Sequence, residues 1–313
     1  MSDPTVFDGG AERCHGRSFG RGSGGDSGRG SDRYEFDRYD EVTFALADPA
    51  LVPVPATTSG PPGGVAWLRA SVARFSSGEP HVRRRRLVQV ELDRLDPAAL
   101  RAAAAEATEP DPRLRVVQVL AAALGLADPA AVARDVALVA RAYFADAPDD
   151  PAADAAVARL LPAVGAPSGA SSGASSDASS GAGRAAEAAA NRIGLLVQAC
   201  DATATLVENA RRGTGRPEPT LRDDPPVRAM RRLAVRDTEI GGIPVPAGTH
   251  VLLDIAAAQR EGGAPDREPL TFGAPPRRCP GREHALAIAS GILLGACSDE
   301  VATDTPDGLE TAR

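Results

Sequence analysis

The most regular pattern of hydrophobic positions in the chain lies between Arg184 and Arg211. Apolar residues recur there at every third or fourth position, at Ile193, Leu196, Val197, Cys200, Ala204 and Val207. This spacing places their side chains on one face of an α-helix. We therefore predict a long helix over this segment, packed against the core along its apolar face.

Shorter patterns predict further helices and one β region. Asp96-Pro97 and Asp128-Pro129 each place an N-cap residue before a proline, which is typical of a helix start. The apolar run 116–126 and the alanine-rich run 151–161 add packing helices. Between Arg228 and Ile255, apolar and polar residues alternate around turn residues, which predicts hairpins. The predicted fold class is mainly α with a small β region.

Three segments lack a hydrophobic pattern. Residues 1–40 are rich in Gly, Ser, Arg and Asp, so a disordered N-terminal tail is expected there. Ser, Gly and Ala repeats predict a flexible loop at 165–184. A polar C-terminal tail is predicted over 298–313. Residues 41–297 then form a single domain.

Composition narrows the classes of protein. The 313 residues carry 35 basic and 42 acidic side chains, a net charge of −7, and every Lys/Arg-type cation is arginine. This mildly acidic balance argues against a nucleic-acid-binding protein. The four cysteines are far apart, which fits neither a disulfide framework nor a zinc site. No membrane anchor or secretory core is recognised, so a cytoplasmic location is expected.

Candidate chemistry centres on Cys279. It follows Gly273 and the pair Pro275-Pro276, which exclude regular structure, and it precedes a segment that reads as a helix. Because arginines and a helix N-terminus surround it, we expect a lowered thiol pKa and a thiolate suited to a soft metal. The alternative is a structural cysteine in a proline-rich turn.

The order of residue types around Cys279 resembles the haem-binding loop of the cytochrome P450 family. That loop reads Phe-x-x-Gly-x-Arg/His-x-Cys-x-Gly, and Phe272, Arg277, Cys279 and Gly281 match it, while Pro275 replaces the inner glycine. The resemblance implies that Cys279 is the metal ligand, the axial thiolate of haem b. It implies that Phe272 and Gly281 shape the haem loop and that Arg277 binds a haem propionate.

Two further motifs resemble the same family. His81 and Arg85 are four residues apart and share one helical face, as do the propionate-binding residues of the family's helix C. Arg232 stands where the family has another propionate-binding arginine. An exposed basic helix is the alternative explanation for residues 81–86. The resemblance implies a short P450-like haem domain, a truncated and soluble bacterial-type member with degenerate motifs.

The predicted long helix resembles the family's helix I. In the preferred alignment, Asp201 and Thr203 match the acid and the second hydroxyl of its oxygen-side motif, and Ala202 replaces the first threonine. The resemblance implies that Asp201 and Thr203 are catalytic residues that deliver protons. An amphipathic core helix with a solvated Asp201 is the alternative.

The implied activity is that of a cytochrome P450 monooxygenase, an oxidoreductase that inserts one oxygen atom from dioxygen into a small organic substrate. Electrons would come from NAD(P)H through ferredoxin reductase and ferredoxin, and Arg278 and Arg282 could attract an acidic ferredoxin. The alternatives are a peroxide-using or ligand-sensing haem protein and a catalytically degenerate auxiliary protein that stabilises another biosynthetic enzyme.

Overall fold

The computed structural model describes residues 33–56, 60, 62–144, 150–165, 178–261 and 267–303. Within these ranges the chain is mainly helical with a small β region, as predicted. The helices are α1 Tyr39–Ala47, α2 Val65–Ser71, α3 Gly78–Leu92, α4 Pro97–Glu106, α5 Pro112–Ala123, α6 Pro129–Ala142, α7 Pro151–Val164, α8 Ala178–Arg212, α9 Pro217–Asp223, α10 Ile255–Arg260 and α11 Arg282–Thr303. Short 3-10 turns occupy Ala73–Phe75 and Leu270–Phe272.

Helices α4 to α7 all begin with the same Asp-Pro signature. Each aspartate accepts a hydrogen bond from a backbone N–H of the first turn, and each proline takes the first helical position, where no donor is needed. The starts of α4 and α6 confirm the prediction from Asp96 and Asp128. The same signal also marks α5 and α7.

Helix α8 forms the centre of the helical core. Ile193, Leu196, Cys200 and Val207 are fully buried, which confirms the predicted apolar face. Helices α2, α3, α5, α6, α7, α9 and α11 all pack against α8. The helix begins at Ala178, within the segment for which a loop at 165–184 was predicted, so that prediction is wrong for residues 178–184. A formed helix extends at little free-energy cost per residue, even through serine and glycine.

A buried ion pair ties α8 to α3. Nε of Arg192 lies 3.2 Å from Oε2 of Glu91, and both side chains are less than 10% exposed. Arg192 also donates to the carbonyl oxygens of Leu124, at 2.8 Å, and Val164. These bonds satisfy carbonyl groups near the C-terminal ends of α5 and α7, which fixes both helices on α8.

Two glycines allow α11 to lie directly against α4. A Cβ atom at Gly291 would come within 2.2 Å of the carbonyl oxygen of Arg101, and one at Gly295 within 2.4 Å of that of Ala105. No side chain fits at such distances. The four-residue spacing of these glycines therefore sets the position of α11, which directly follows the Cys279 loop.

The larger sheet contains β1 Arg33–Phe36, β6 His250–Asp254, β3 Ala229–Ala234 and β2 Leu51–Val52, in that order. Strand β1 is parallel to β6, whereas β3 is antiparallel to both β6 and β2. A separate hairpin joins β4 Thr238–Ile240 to β5 Ile243–Val245 through Gly241 and Gly242, both with positive φ. This confirms the β region predicted between Arg228 and Ile255.

The predicted tails are shorter than expected where the structure describes them. Residues 33–36 form β1 and residues 39–40 begin α1, which contradicts a disordered tail over 1–40 for this part; Phe36 is buried in the core beside the sheet. Residues 298–303 continue α11, which contradicts a tail beginning at 298. Residues 1–32, 166–177 and 304–313 lie outside the described residues, so the predictions for those parts stay predictions.

Candidate cofactor site

The loop that carries Cys279 is closed by backbone hydrogen bonds. The N–H of Cys279 donates to the carbonyl of Phe272 at 2.8 Å, and the N–H of Arg277 donates to that of Ala274 at 3.0 Å. Gly273 has a φ of 71°, which glycine adopts without strain. The loop therefore holds Cys279 in a fixed position, three residues before α11.

Cys279 is an exposed residue, unlike Cys200, which is fully buried. Desolvation by the surrounding protein nevertheless raises the pKa of Cys279 above its ordinary value, although the backbone N–H of Gly281 and the charges of Arg85 and Arg74 act to lower the pKa. The predicted lowered pKa is therefore wrong for the protein alone, because desolvation outweighs these groups. For Cys200, burial raises the pKa to about 12, so that thiol is inert.

His81 and Arg85 lie on the face of α3 that is directed towards the Cys279 loop. Nη2 of Arg85 donates to the carbonyl of Arg278 at 2.6 Å. Desolvation, with the charges of Arg277 and Arg85, lowers the pKa of His81 to about 4. The imidazole is therefore neutral at pH 7 and is not a cation.

Arg232 is a buried cation on β3. Its side chain is only 8% exposed, and its Nε has no hydrogen-bond partner among the described residues. Its remaining donors contact the carbonyl of Arg231 at 3.0 Å and the sulfur of Met230 at 3.7 Å. Desolvation and the charges of Arg74 and Arg277 lower the pKa of Arg232 to about 10, so the group remains charged at pH 7.

Arg277 is half-buried and lies close enough to Arg85 and Arg232 for their charges to interact. Its Nη2 donates to the carbonyl of Ser76 at 3.0 Å and to the hydroxyl of Ser77 at 3.2 Å. Desolvation and the charge of Arg85 lower the pKa of Arg277. The structure adds Arg74, in the 3-10 turn before α3, whose charge acts on both Arg232 and Cys279. Its sequence context gave no signal beyond proximity to His81.

We call the four arginines Arg74, Arg85, Arg232 and Arg277, together with the neutral His81, the cationic cluster. In the described part of the chain, no carboxylate lies within ion-pair distance of any member. Other arginines nearby are paired: Arg83 and Arg84 with Glu187, and Arg278 and Arg282 with Glu268. Buried or half-buried cations without an acid require an anionic ligand. An exposed cysteine beside such a cluster fits a metal-containing group with carboxylate arms, such as haem.

Phe272 and Gly281 belong to the same loop but not to the cluster. The guanidinium of Arg282 lies 5.6 Å from the ring centroid of Phe272, a cation–π distance. A Cβ atom at Gly281 would make ordinary contact with Leu92, at 3.7 Å, so crowding does not explain this glycine. The backbone N–H of Gly281 bonds to Cys279, which is the structural contribution of this position.

Comparison with known proteins gave structural matches only: no protein-family model and no curated protein matches the chain. P450BioI, in complex with hexadec-9Z-enoic acid ligated acyl carrier protein, matches with a TM-score of 0.62 and 16% identity over 85% of this chain and 84% of that chain. A thermophilic cytochrome P450 from Sulfolobus tokodaii has a TM-score of 0.61 and 17% identity over 83% and 85% of the two chains. The chain has a cytochrome P450-like fold. CalO2 also matches, with a TM-score of 0.60 and 20% identity over 83% and 82%.

Within this cytochrome P450-like fold, Asp201 and Thr203 lie on α8 away from the cluster's hydrogen bonds. The carboxylate of Asp201 accepts hydrogen bonds from Nε of Arg113, at 2.9 Å, and from its Nη2. Thr203 is buried at 3% exposure. In the described residues neither side chain bonds to a cluster member. The structure therefore brings together the predicted haem-binding residues but joins Asp201 to α5.

One surface groove of the P450-like fold lies apart from the cluster. A groove of about 610 Å³ between α4 and α5 shares no lining residue with the cluster. The described residues contain no group of three or more His, Cys, Asp or Glu side chains that could hold a metal ion. None of the described helices has both the length and the apolar character needed to cross a bilayer.

Proposed function

We propose that this chain is a haem-thiolate monooxygenase that acts on a small organic substrate. The observation that carries the proposal is the exposed Cys279 beside a cationic cluster that has no carboxylate partner in the described chain. The P450-like fold supports it. Haem b would supply the activation of dioxygen and the transfer of one oxygen atom to a C–H or C=C bond.

In this proposal, the sulfur of Cys279 would hold the haem iron as a thiolate. The backbone N–H of Gly281 and the charges of Arg85 and Arg74 would stabilise that anion. Because desolvation raises the pKa of the free thiol, Cys279 would release one proton when it binds the metal.

The carboxylate arms would be held by Arg85, Arg232 and Arg277, with His81 as a neutral donor. Arg232 is the strongest candidate, because its Nε is buried without a partner and its charge persists at pH 7. Arg277 and Arg85 now donate only to backbone carbonyls and one hydroxyl. A carboxylate is a stronger acceptor than either of these.

Proton delivery is proposed to involve Asp201 and Thr203, in line with the helix I resemblance. The side chain of Asp201 is 35% exposed, so its carboxylate can exchange protons with solvent if Arg113 releases it. Thr203 is buried and would pass a proton inward through its hydroxyl or an ordered water. The Arg113–Asp201 ion pair would have to open in this step.

Electrons are proposed to come from NAD(P)H through ferredoxin reductase and ferredoxin. Arg278 and Arg282 share the single carboxylate of Glu268, at 2.6 and 2.7 Å. Together they present one net positive charge rather than two, which makes their attraction for an acidic ferredoxin weaker than the sequence suggests.

The cytoplasmic location stays a prediction.

One observation favours the use of peroxide as a second candidate function. Because Arg113 engages Asp201, the proposed proton path would be closed in the resting protein. Peroxide already carries the protons that this path would deliver and the electrons that ferredoxin would deliver. Turnover supported by hydrogen peroxide alone, compared with turnover supported by NADPH, ferredoxin and the reductase, would separate these two functions.

The test of haem-thiolate ligation is a spectrum of the protein expressed with a haem supply. We expect a Soret band and, after reduction and CO addition, the absorption band characteristic of thiolate ligation. Cys279→Ser is expected to lose that band, while Cys200→Ser, which alters the buried cysteine, should retain it. Absence of any Soret band from the wild-type chain would contradict the proposal and favour a non-catalytic auxiliary protein.

A further inference from the structure

The cationic cluster contains more positive charge than two carboxylate arms require. Four of its members are arginines, whose charges are coupled to one another or to Cys279. Arg85, Arg232 and Arg277, together with His81, already provide donors for two carboxylates. Arg74 is left as an additional cation and is an exposed member of the cluster.

Hydrogen bonds from α8 hold the backbone turn that carries Arg74, but they do not involve its guanidinium. The side chain of Asn191 on α8 accepts from the N–H of Ala73 at 2.9 Å and donates to the carbonyl of Ser71 at 3.0 Å. These bonds anchor the 3-10 turn that carries Arg74. Within the described residues, the guanidinium itself makes no hydrogen bond and no ion pair, so its donors are available to a ligand.

Aromatic rings surround this guanidinium on two sides. Its central carbon lies 5.8 Å from the ring centroid of Phe75 and 5.4 Å from that of Phe144, and Phe144 is 53% exposed. Tyr143 links the two rings, with its centroid 5.3 Å from Phe75 and 6.3 Å from Phe144. The surface beside Arg74 is therefore apolar and partly open, which suits the hydrocarbon body of an amphipathic molecule.

Arg69, which lies near Arg74 in the chain, has a structural role. Arg69 donates to the carbonyl oxygens of Tyr143, at 3.0 Å, Phe144, at 2.5 Å, and Ala142, and so caps the C-terminal end of α6. It fixes the aromatic residues that flank Arg74. In the described part of the chain Arg74 makes no such hydrogen bond; its contacts are with the rings of Phe75 and Phe144, and its N–H donors are not used by the fold.

Tyr143 adds a buried polar group next to these two rings. The side chain is 1% exposed, and its hydroxyl has no hydrogen-bond partner among the described residues. The hydroxyl faces α8, since a Cβ atom at Gly194 would lie 3.5 Å from it. A buried hydroxyl without a partner is a site where a ligand or an ordered water is expected.

We propose that Arg74 binds the anionic head group of the substrate, with Phe75 and Phe144 contacting its apolar body. The substrate class is then an organic carboxylate or phosphate monoester with a hydrocarbon tail. This inference rests on the proposed function, because it names the substrate of the same site. A guanidinium binds either head group through charge-assisted hydrogen bonds, whereas a neutral alcohol offers only one ordinary acceptor.

The test is isothermal titration calorimetry on the haem-loaded protein with three probes that share a tail: dodecanoate, dodecyl phosphate and dodecan-1-ol. We expect each anion to bind roughly 10- to 100-fold more tightly than the alcohol. Arg74→Gln should remove this preference, and Arg74→Lys should restore part of it. The stronger of the two anions identifies the head group.

Arg86→Gln is the matched control, because Arg86 is an exposed arginine on α3 outside the cluster. It should leave the preference for anions unchanged. Phe144→Ala should weaken the binding of the anions and of the alcohol alike, since it removes only an apolar contact. A preference that persists in Arg74→Gln, or that falls equally in Arg86→Gln, would overturn the proposal.

The outcome for haem is measured separately in the same samples. If Arg74→Gln loses haem while its remaining loaded fraction keeps the anion preference, Arg74 binds a haem carboxylate and the substrate proposal is wrong. If the wild-type chain holds no haem at all, the monooxygenase proposal fails. An Arg74-dependent preference for anions in that haem-free chain would still support the anion site.

Discussion

Helix α3 carries two groups of basic residues that differ in what surrounds them. Arg83 and Arg84 share the carboxylate of Glu187 on α8, at 2.9 and 2.7 Å. His81 and Arg85, on the other side of the helix, face Arg277 and meet no carboxylate of the described chain. The first group joins two helices, whereas the second group is left for a ligand.

The comparison shows that the candidate site is marked by cations without a carboxylate partner, rather than by the number of cations. Residues 83–86 are four consecutive arginines, yet only part of this run is neutralised by carboxylates of the described chain. Ser76 lies between the two groups: its hydroxyl accepts from Arg84 at 2.5 Å, and its carbonyl accepts from Arg277 at 3.0 Å. Ser76 therefore contacts both an arginine that is paired with a carboxylate and an arginine that is left for a ligand.

The largest expected effect comes from removing the acid of a buried ion pair. Glu91→Ala leaves Arg192 buried without its carboxylate, and we expect the free energy of unfolding to fall by about 3–5 kcal/mol. Urea denaturation measures it. Glu79→Ala, which breaks an exposed pair with Arg83, should cost about 0.5 kcal/mol or less. Equal losses in the two variants would contradict the distinction between buried and exposed charge.

The next substitution is expected to stabilise the haem-free protein and to weaken haem binding. Arg232→Met removes a buried cation that has no acid partner, so the haem-free chain should gain about 1–2 kcal/mol of stability. Haem affinity should fall roughly 10- to 100-fold, because a charge-assisted contact is lost. Denaturation of the haem-free form measures the free energy of unfolding, and haem transfer to apomyoglobin measures haem affinity. A variant that is destabilised without haem and retains haem normally would contradict the assignment of Arg232 as a carboxylate-binding residue.

Crowding at α11 provides a prediction of similar size that is independent of charge. Gly291→Ala places a Cβ atom against the carbonyl of Arg101, so α4 and α11 must separate. We expect a loss of about 1–3 kcal/mol in the free energy of unfolding, measured by thermal or urea denaturation. Gly183→Ala, at a position with open space, is the control and should be neutral or slightly stabilising.

A pH effect is expected from His81. Its pKa is about 4 in the folded chain, whereas an unfolded histidine titrates near 6.5, about its ordinary value. The unfolded chain therefore takes up this proton first, so stability is complete above about pH 6.5 and declines towards pH 4. His81→Gln should reduce this decline in the haem-free protein. An NMR titration of His81 should show its pKa rising when carboxylates bind, and an unchanged pKa would remove the propionate assignment.

The smallest effect on haem is expected from Glu187. Glu187→Gln removes the partner of Arg83 and Arg84 and should cost about 1 kcal/mol of stability. It adds uncompensated charge on the other side of α3, so haem affinity should change by less than about twofold, because that charge is screened by solvent. A loss of haem as large as in Arg232→Met would show that the two groups of cations are not separate.

The sequence by itself determined the features that depend on neighbours in the chain. Period-3.6 apolar residues predicted α8, Asp-Pro pairs predicted the starts of α4 and α6, and alternation predicted the β region. The loop around Cys279 was recognised because its residue order is specific. The start of α8 at Ala178 and strand β1 were missed, because helix extension and strand pairing depend on partners that local composition does not show.

Only the tertiary structure decided which charges are compensated. Glu187 and Glu268 neutralise arginines that sequence patterns do not pair with them, Arg113 engages Asp201, and Arg74 joins the cluster from a separate turn. The pKa of Cys279 is raised although arginines surround it in sequence, because desolvation depends on the whole fold. Charge interactions and burial act over distances in space, and residues far apart in the chain set both.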